Sequence, residues 1–327
     1  MERVLVTGGT GFTGSHLVRN LVDEGYVVRV LARSAARARE RLPGEVEIVE
    51  GDVADPAVVR RSIRGRDVVY HLAAAFREAG IPDARYHEVH VLATRLLLEA
   101  ARAEGVRRFV HCSTVGVHGH IANPPADETA PHEPGDIYQA TKSEGERLAL
   151  EFQRQHDFPL TVARPAPIYG PGDLRLLKLF RMIARKRFVM LGSGRVFFHM
   201  VHVRDLVKGF RLLADRDEAV GEVFIFAGEE YCTLNELAAR IAALWALPPP
   251  RLHLPVWPFY AAGAVCELVC VPLRIEPPIY RRRVAFFTKS RAFTTRKARE
   301  LLGFSASVSL DSGLEETAAW YRNQGLI

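Results

Sequence analysis

Short, branched apolar runs separated by stretches of helical periodicity set the pattern of the first half of this chain. Val4-Leu5-Val6, Val27-Val28-Arg29-Val30-Leu31, Val46-Glu47-Ile48-Val49, Val68-Val69-Tyr70-His71-Leu72, Val106 to His111 and Leu160-Thr161-Val162-Ala163-Arg164 each read as a strand. Their nearly continuous apolar character marks strands covered on both faces. Between them lie helical patterns: one from Ser15-His16-Leu17-Val18 to Gly25, one starting near Pro56, a long amphipathic helix over Tyr86 to Ala103, and one from about Ile137 to His156. Alternation of this kind predicts an α/β fold with a doubly wound parallel sheet.

The second half is less regular. A helix near Leu174–Lys186 precedes the turn Gly192-Ser193-Gly194; then come a short strand Val201-His202-Val203, a helix Asp205 to Leu213 and a strand Val223 to Phe226. Thr233 and Glu236 have the spacing of a capping box and start a helix through Leu244. The expected division is a sheet domain over 1–166, with 196–227 returning to it, and a smaller, mainly helical substrate lobe from 167–195 and 228–327. Val256 to Leu273 is almost wholly apolar and approaches the length of a membrane span, but Pro258, Gly263, Glu267 and Pro272 interrupt it. A buried or lid helix is expected there, with peripheral lipid contact as the alternative and no integral span.

Composition narrows the class. The 327 residues are 48% hydrophobic and 25% charged, the balance of a globular enzyme. A net charge of +6 is spread along the chain, with Arg281-Arg282-Arg283 the one tight basic run, which suits an anionic small molecule and argues against nucleic acid. Cys112, Cys232, Cys266 and Cys270 lack metal-ligand spacing, so no metal site is expected. Free thiols and a first strand that begins without a signal peptide point to the cytoplasm.

The chemistry starts at Gly8, Gly11 and Gly14, a glycine triplet between the first strand and the first helix. A turn with φ > 0, a close backbone approach to a pyrophosphate and a helix N-terminus aimed at it all require that pattern. At the end of the second strand stands Arg33, followed by Arg37, Arg39 and Arg41 rather than an acid. That favours NADP over NAD, since an arginine can hold a 2′-phosphate; a solvated basic helix face is the other reading. Asp52 either accepts from an adenine amino group or caps the helix near Pro56. Ala73-Ala74-Ala75 leave room for a cofactor at the end of the fourth strand. Tyr138 and Lys142 stand one helical turn apart, so the ammonium can lower the tyrosine's pKa and make it a general acid or base. Ser113-Thr114, at the end of the fifth strand, offers a hydroxyl to the same reacting oxygen.

Thr7-Gly8-Gly9-Thr10-Gly11-Phe12-Thr13-Gly14, Asp52, His71-Leu72-Ala73-Ala74, Ser113-Thr114, Tyr138 with Lys142, and Arg164-Pro165 with Tyr169-Gly170-Pro171-Gly172 together resemble the extended short-chain dehydrogenase/reductase family. The nearest branches are the 3-beta-hydroxysteroid dehydrogenases and the dihydroflavonol reductases. The resemblance implies that Tyr138 is the acid/base, that Lys142 binds the nicotinamide ribose, and that Thr114, five residues before Gly119, completes the triad. It implies cofactor contacts from Gly8, Thr10, Gly11, Phe12, Thr13, Gly14, Asp52, Val53, Leu72, Ala73, Ala74, Pro165 and Ile168, and a homodimer through helices 86–103 and 137–156. Phe76, His118, Arg175 and Arg195 are the candidates for substrate contact. The implied activity is NAD(P)(H)-dependent interconversion of a secondary alcohol and a ketone on a mainly apolar small molecule. A nucleotide-sugar epimerase or dehydratase with tightly held NAD is the alternative, with Arg175, Lys178, Arg195, Arg281 and Arg282 as diphosphate contacts; a non-catalytic dinucleotide-binding protein is a minor one. Three departures stand out: His118 where many members have tyrosine, His90 where the family's asparagine supports the catalytic lysine, and the missing Arg-Asp and Arg-x-Gly-Asp signatures of nucleotide-sugar members, at Arg195 to Asp205 and Phe286 to Phe293.

Overall fold

The computed structural model describes residues 1–76, 81–270, 284 and 286–327. Seven strands form one parallel sheet: β1 (Arg3–Thr7), β2 (Val27–Ala32), β3 (Glu47–Glu50), β4 (Val68–His71), β5 (Arg108–Cys112), β6 (Leu160–Pro165) and, later in the chain, β7 (Val223–Phe226). The order across the sheet is β3-β2-β1-β4-β5-β6-β7. All six pairings are parallel. The chain therefore steps from β1 to one edge, then crosses back to the other side of β1 to place β4. This reversal opens a crevice at the carboxyl ends of β1 and β4.

Alternate residues of each strand enter opposite layers. Val4 and Val6 pack with Leu17, Val18 and Leu21 of helix α1 (Phe12–Asp23) and with Leu206 and Phe210 of helix α8 (Val203–Asp215). Leu5 and Val69 face the other way, onto Val59 and Ile63 of α3 (Pro56–Ile63) and Leu97 and Leu98 of α5 (Ala93–Ala103). With both faces covered, the central strands β4 and β6 are buried throughout, whereas the edge strand β3 keeps exposed glutamates at both ends.

The expected helix over 86–103 is interrupted. A short α4 (Asp83–His87) runs into a five-residue π turn, Glu88–Leu92, and only then into α5. Beside it lies α6 (Ile137–His156), whose N-terminus Asp136 caps by accepting from the Gln139 N–H at 2.8 Å. The predicted helix at Asp205 starts instead at Val203, behind a His202 cap, and that near Leu174 starts at Leu177.

A third hydrophobic core gathers Phe180, Leu237, Ile241, Leu314 and Tyr321. Helices α7 (Leu177–Ala184), α9 (Leu234–Ala243) and Leu310–Asn323 carry these residues. Both halves of the predicted Thr233–Glu236 capping box are formed. Helix α10 (Trp257–Cys270) occupies the apolar stretch but is not buried: Trp257 is 73% and Leu268 76% exposed. The remainder of that stretch, past Cys270, and Arg281-Arg282-Arg283 lie outside the described residues. Among the described residues no helix is long and apolar enough to cross a membrane.

Candidate active site

The crevice at the switch point is built by glycine. Gly8 has φ of +72°, and a Cβ on it would lie 2.7 Å from the Ala73 nitrogen, so the β1 turn and the segment after β4 touch through backbone alone. A Cβ on Gly14 would come within 2.1 Å of the Gly8 carbonyl oxygen, which lets α1 start directly against the turn. Gly11 is the N-cap of α1; it supplies no side-chain cap, and the first turn carries no acid. The N-terminal N–H groups and the helix dipole are thereby offered to an anion, and the site fits a dinucleotide pyrophosphate.

At the sheet edge beyond β1, Arg33 and Asp52 follow β2 and β3. Asp52 does not cap α3; Asp55 does, accepting from the N–H groups of Ala57 (2.8 Å) and Val58 (3.3 Å). Asp52 accepts from the Ala54 N–H at 2.9 Å and from the guanidinium of Arg85. Burial, the largest single influence, would raise its pKa, but the hydrogen bonds from Arg85 and Ala54 and the charges of Arg85 and Arg33 together hold the carboxyl below the usual range. Arg85 also pairs with Glu88 at 2.9 Å. Nothing in the chain's periodicity singled out Arg85.

On the other side of the crevice, α6 presents Tyr138 half-buried and Lys142 buried. The Lys142 ammonium donates to the Cys112 carbonyl at the end of β5, and burial lowers its pKa. The Tyr138 ring stands between two others, Phe76 at 5.0 Å and His90 at 5.4 Å, both edge-on. The chain after β5 then divides two adjacent hydroxyls. Ser113 is buried and donates to Glu146, whereas Thr114 is only half-buried. Thr114 caps the short helical turn Val115–His118, its Oγ1 accepting from the Gly116 N–H at 3.0 Å. That turn packs against α6: a Cβ on Gly116 would meet both Thr114 Oγ1 and the Gln139 side chain at 3.3–3.4 Å. Of the two, Thr114 is the hydroxyl that Glu146 does not claim, on a turn that packs against α6 at Gln139, the residue after Tyr138.

Behind the site lies a buried polar cluster that sequence reading missed. Glu146, fully buried, pairs with the Arg164 guanidinium. Arg164 also donates to the ring nitrogens of His118 (3.1 Å) and His132 (2.9 Å) and to the Glu128 carbonyl (2.8 Å). Glu146 follows Lys142 by the same four-residue step that links Lys142 to Tyr138, a spacing that could have revealed it. His118, expected to face substrate, belongs to this cluster instead. Its other ring nitrogen meets the Pro131 carbonyl at 3.2 Å, and burial lowers its pKa to about 4. Phe293 and His132 cover its ring.

Two further candidates separate. Arg175 comes to the crevice: its guanidinium lies 5.5 Å from the Phe12 ring and 5.9 Å from the Phe76 ring, tethered by Asp173 and the Ile168 carbonyl. It therefore gathers residues of the glycine turn, the segment after β4 and the β6 exit. Arg195 is exposed on the turn after Gly194, against α9, and no described contact joins it to Tyr138 or Thr114. Pro165 pairs with Phe226 in the sheet, at the same carboxyl edge. Among the described residues no group of histidine, cysteine, aspartate and glutamate could hold a metal.

A parallel doubly wound sheet, a glycine turn feeding an uncapped helix at its switch point, and a Tyr–Lys pair on a neighbouring helix define a dinucleotide-dependent enzyme. Residues 4–227 match the NAD dependent epimerase/dehydratase family, and the chain belongs to it, within the extended short-chain dehydrogenases/reductases. It is 31% identical to sterol demethylase protein B of Methylococcus capsulatus, over 99% of each chain. It is also 31% identical to 2-alkyl-3-oxoalkanoate reductase of Stenotrophomonas maltophilia, over 97% of this chain and 98% of that one. The crystal structure of UDP-glucose 4-epimerase from Thermotoga maritima superposes with a TM-score of 0.79 at 26% identity, covering 98% of this chain and 99% of that one. Other relatives bear the names of ketoreductases, sterol dehydrogenases and a dTDP-glucose dehydratase. The chain is accordingly an NAD(P)-dependent enzyme of the oxidoreductase and epimerase/dehydratase class.

Proposed function

We propose that this enzyme interconverts a secondary alcohol and a ketone on a mainly apolar small molecule, using Thr114, Tyr138 and Lys142, with NADP(H) preferred. The observation that carries the reading is the surroundings of Tyr138. Its ring is held by Phe76 and His90, with buried Lys142 one turn away and the Thr114 turn packed on the same helix. The aromatic wall suits an apolar substrate, and the names of two relatives, a sterol protein and an oxoalkanoate reductase, point the same way. The exposed apolar face of α10 is compatible with lipid-like substrates or with contact at a lipid surface.

When bound, the reduced nicotinamide supplies the hydride that reaches the carbonyl carbon. Thr114 donates a hydrogen bond to the carbonyl oxygen and holds it beside Tyr138. The Tyr138 hydroxyl gives that oxygen its proton, so the product is the neutral alcohol and the phenolate remains on the enzyme. The Lys142 ammonium stabilises this phenolate until solvent restores its proton. Phe76, edge-on to Tyr138, and Arg175 beside Phe76 line the crevice there.

The NADP preference is inferred from Arg33, which follows β2 and whose charge contributes to the lowered pKa of Asp52 at the end of the adjacent β3. The second reading, a nucleotide-sugar epimerase or dehydratase, draws support from the cationic Arg175 at the crevice and from the likeness to UDP-glucose 4-epimerase. One experiment separates them: mass and absorbance analysis of any dinucleotide that co-purifies, then titration with NADPH and NADH and turnover of 2-alkyl-3-oxo esters. An empty protein that binds NADPH more tightly and reduces the esters supports the first reading. NAD retained through purification, with no turnover unless UDP- or dTDP-sugars are supplied, supports the second. Arg33→Ala should erase the preference for NADPH; an unchanged ratio of affinities would sink the cofactor assignment.

A further inference from the structure

His90 is buried, lies in the π turn, and ties together the three segments that surround Tyr138. Its Nε2 is 3.0 Å from the Ala75 N–H, which is a donor, so this nitrogen accepts and carries no proton. The neutral ring then bears its proton on Nδ1 and donates it to Thr141 Oγ1, 2.8 Å away. Thr141 in turn passes its own hydroxyl proton to the Ile137 carbonyl at 2.8 Å, in the turn that presents Tyr138. The backbone of the same residue is engaged as well. The His90 carbonyl accepts from the Thr94 hydroxyl at 2.7 Å, and a Cβ on Gly145 would approach that carbonyl to 2.1 Å. Helix α6 is therefore seated on His90 at Thr141 and at Gly145, on either side of Lys142.

The ring completes the arrangement. It stands edge-on to Tyr138 at 5.4 Å, with Tyr86 5.9 Å away. Phe76, the residue after the bonded Ala75, contacts the same Tyr138 ring at 5.0 Å. One imidazole thus controls two of the Tyr138 ring's neighbours. The π turn that carries it is a local departure from helix geometry of the kind found at functional sites.

We propose that His90 is a positioning residue for the Tyr138–Lys142 pair: as a neutral imidazole protonated on Nδ1, it clamps the segment after β4 to helix α6 and keeps the Tyr138 ring in register with the Lys142 ammonium. The role is geometric rather than proton-conducting, because both ring nitrogens are already engaged and burial pushes the pKa down to about 2. A cation there would also sit near Lys142, whose charge opposes it. The proposal rests on the reading of Tyr138 as the acid/base, but its test does not depend on turnover alone.

Three variants divide the contacts. His90→Phe keeps a ring and loses both hydrogen bonds. His90→Asn places an amide N–H where Nδ1 donates, retaining the Thr141 bond. His90→Gln reaches the Nε2 position and retains the Ala75 bond. For each, the Tyr138 phenolate is titrated by near-ultraviolet difference absorbance against the same variant carrying Tyr138→Phe, and turnover of ethyl 2-methyl-3-oxobutanoate with NADPH is followed. His90→Phe should bind NADPH within about threefold of the parent, lose about tenfold or more in kcat, and titrate Tyr138 at higher pH, since a displaced phenolate loses the ammonium. His90→Asn should restore most of both. A Tyr138 titration unchanged in His90→Phe would overturn the proposal, as would equal losses in Phe and Asn variants that follow Tm alone. If Tyr138→Phe in the parent leaves turnover intact while the phenolate titration still responds to His90, the positioning role stands and the acid/base reading fails.

Discussion

At the scale of single residues, the proposed chemistry rests on Tyr138 and Lys142, one helical turn apart on α6. Burial disfavours the lysine's charge, and the nearby Cys112 and Glu146 offset only part of that loss. Tyr138→Phe is therefore expected to lower kcat by about 10²–10⁴-fold while cofactor affinity is nearly unchanged, checked by steady-state kinetics and NADPH fluorescence titration. Loss of NADPH binding in that variant would mark the ring as structural. Arg164 shows the opposite kind of importance. Arg164→Met would leave fully buried Glu146 without a counter-ion and deprive His118 and His132 of a shared donor. A loss of about 3–5 kcal/mol in denaturant unfolding is expected. A change below about 1 kcal/mol would mean that the cluster is loosely coupled. Tyr138 and Lys142 were legible in the sequence because their relation lies within one helical turn. His118 was misread because nothing local records that Arg164, 46 residues away, draws it inward.

Secondary-structure elements depend on a few residues whose replacement is forbidden by neighbours rather than by propensity. Gly14→Ala would drive a Cβ to 2.1 Å from the Gly8 carbonyl and push α1 off the glycine turn. It should abolish dinucleotide binding by titration, with a lowered Tm. Gly44→Ala is the matched control: a Cβ there meets nothing within 4 Å, and the change should stay within about 0.5 kcal/mol. Thr233→Ala removes one half of a complete capping box and should cost about 1 kcal/mol in chemical denaturation. The capping box and the glycine turn could be read from spacing, since their partners lie within a few residues. The π turn at Glu88–Leu92 could not. It goes with the docking of Gly145 on the His90 carbonyl, a contact between two helices that no hydrophobic period encodes.

The whole molecule carries an acid liability that its histidines create. Burial lowers the pKa of His71 to about 3, of His90 to about 2, and of His118 and His202 to about 4. In the unfolded chain each returns to 6.5, so below that pH the unfolded state binds more protons and stability falls as pH falls. Each such histidine contributes up to about 1.4 kcal/mol per pH unit until its folded pKa is reached. Glu146 and Asp52, whose pKa values are lowered, act in the same direction at lower pH: their contribution is present above the unfolded carboxylate value and is lost as pH drops through the folded one. Tm should be level above about pH 7 and fall steadily below about pH 6.5. A Tm that holds constant down to about pH 5 would show that these rings take up protons without unfolding.

By itself the amino-acid sequence determined the succession of strands and helices, the glycine turn, the capping box and the Tyr138–Lys142 step. Each is written in residues close together along the chain, where backbone geometry and side-chain period act directly. The spacing to Gly119 favoured Thr114 over Ser113, but only the tertiary structure shows why Ser113 is occupied elsewhere: Glu146 on another element claims it. The tertiary structure also decided that Arg175 reaches the glycine turn while Arg195 does not, and that His90 meets Ala75 and Thr141, 15 and 51 residues away. Those outcomes depend on how a parallel sheet brings distant loops to one edge, and the pairing of distant loops leaves no period in the chain to read.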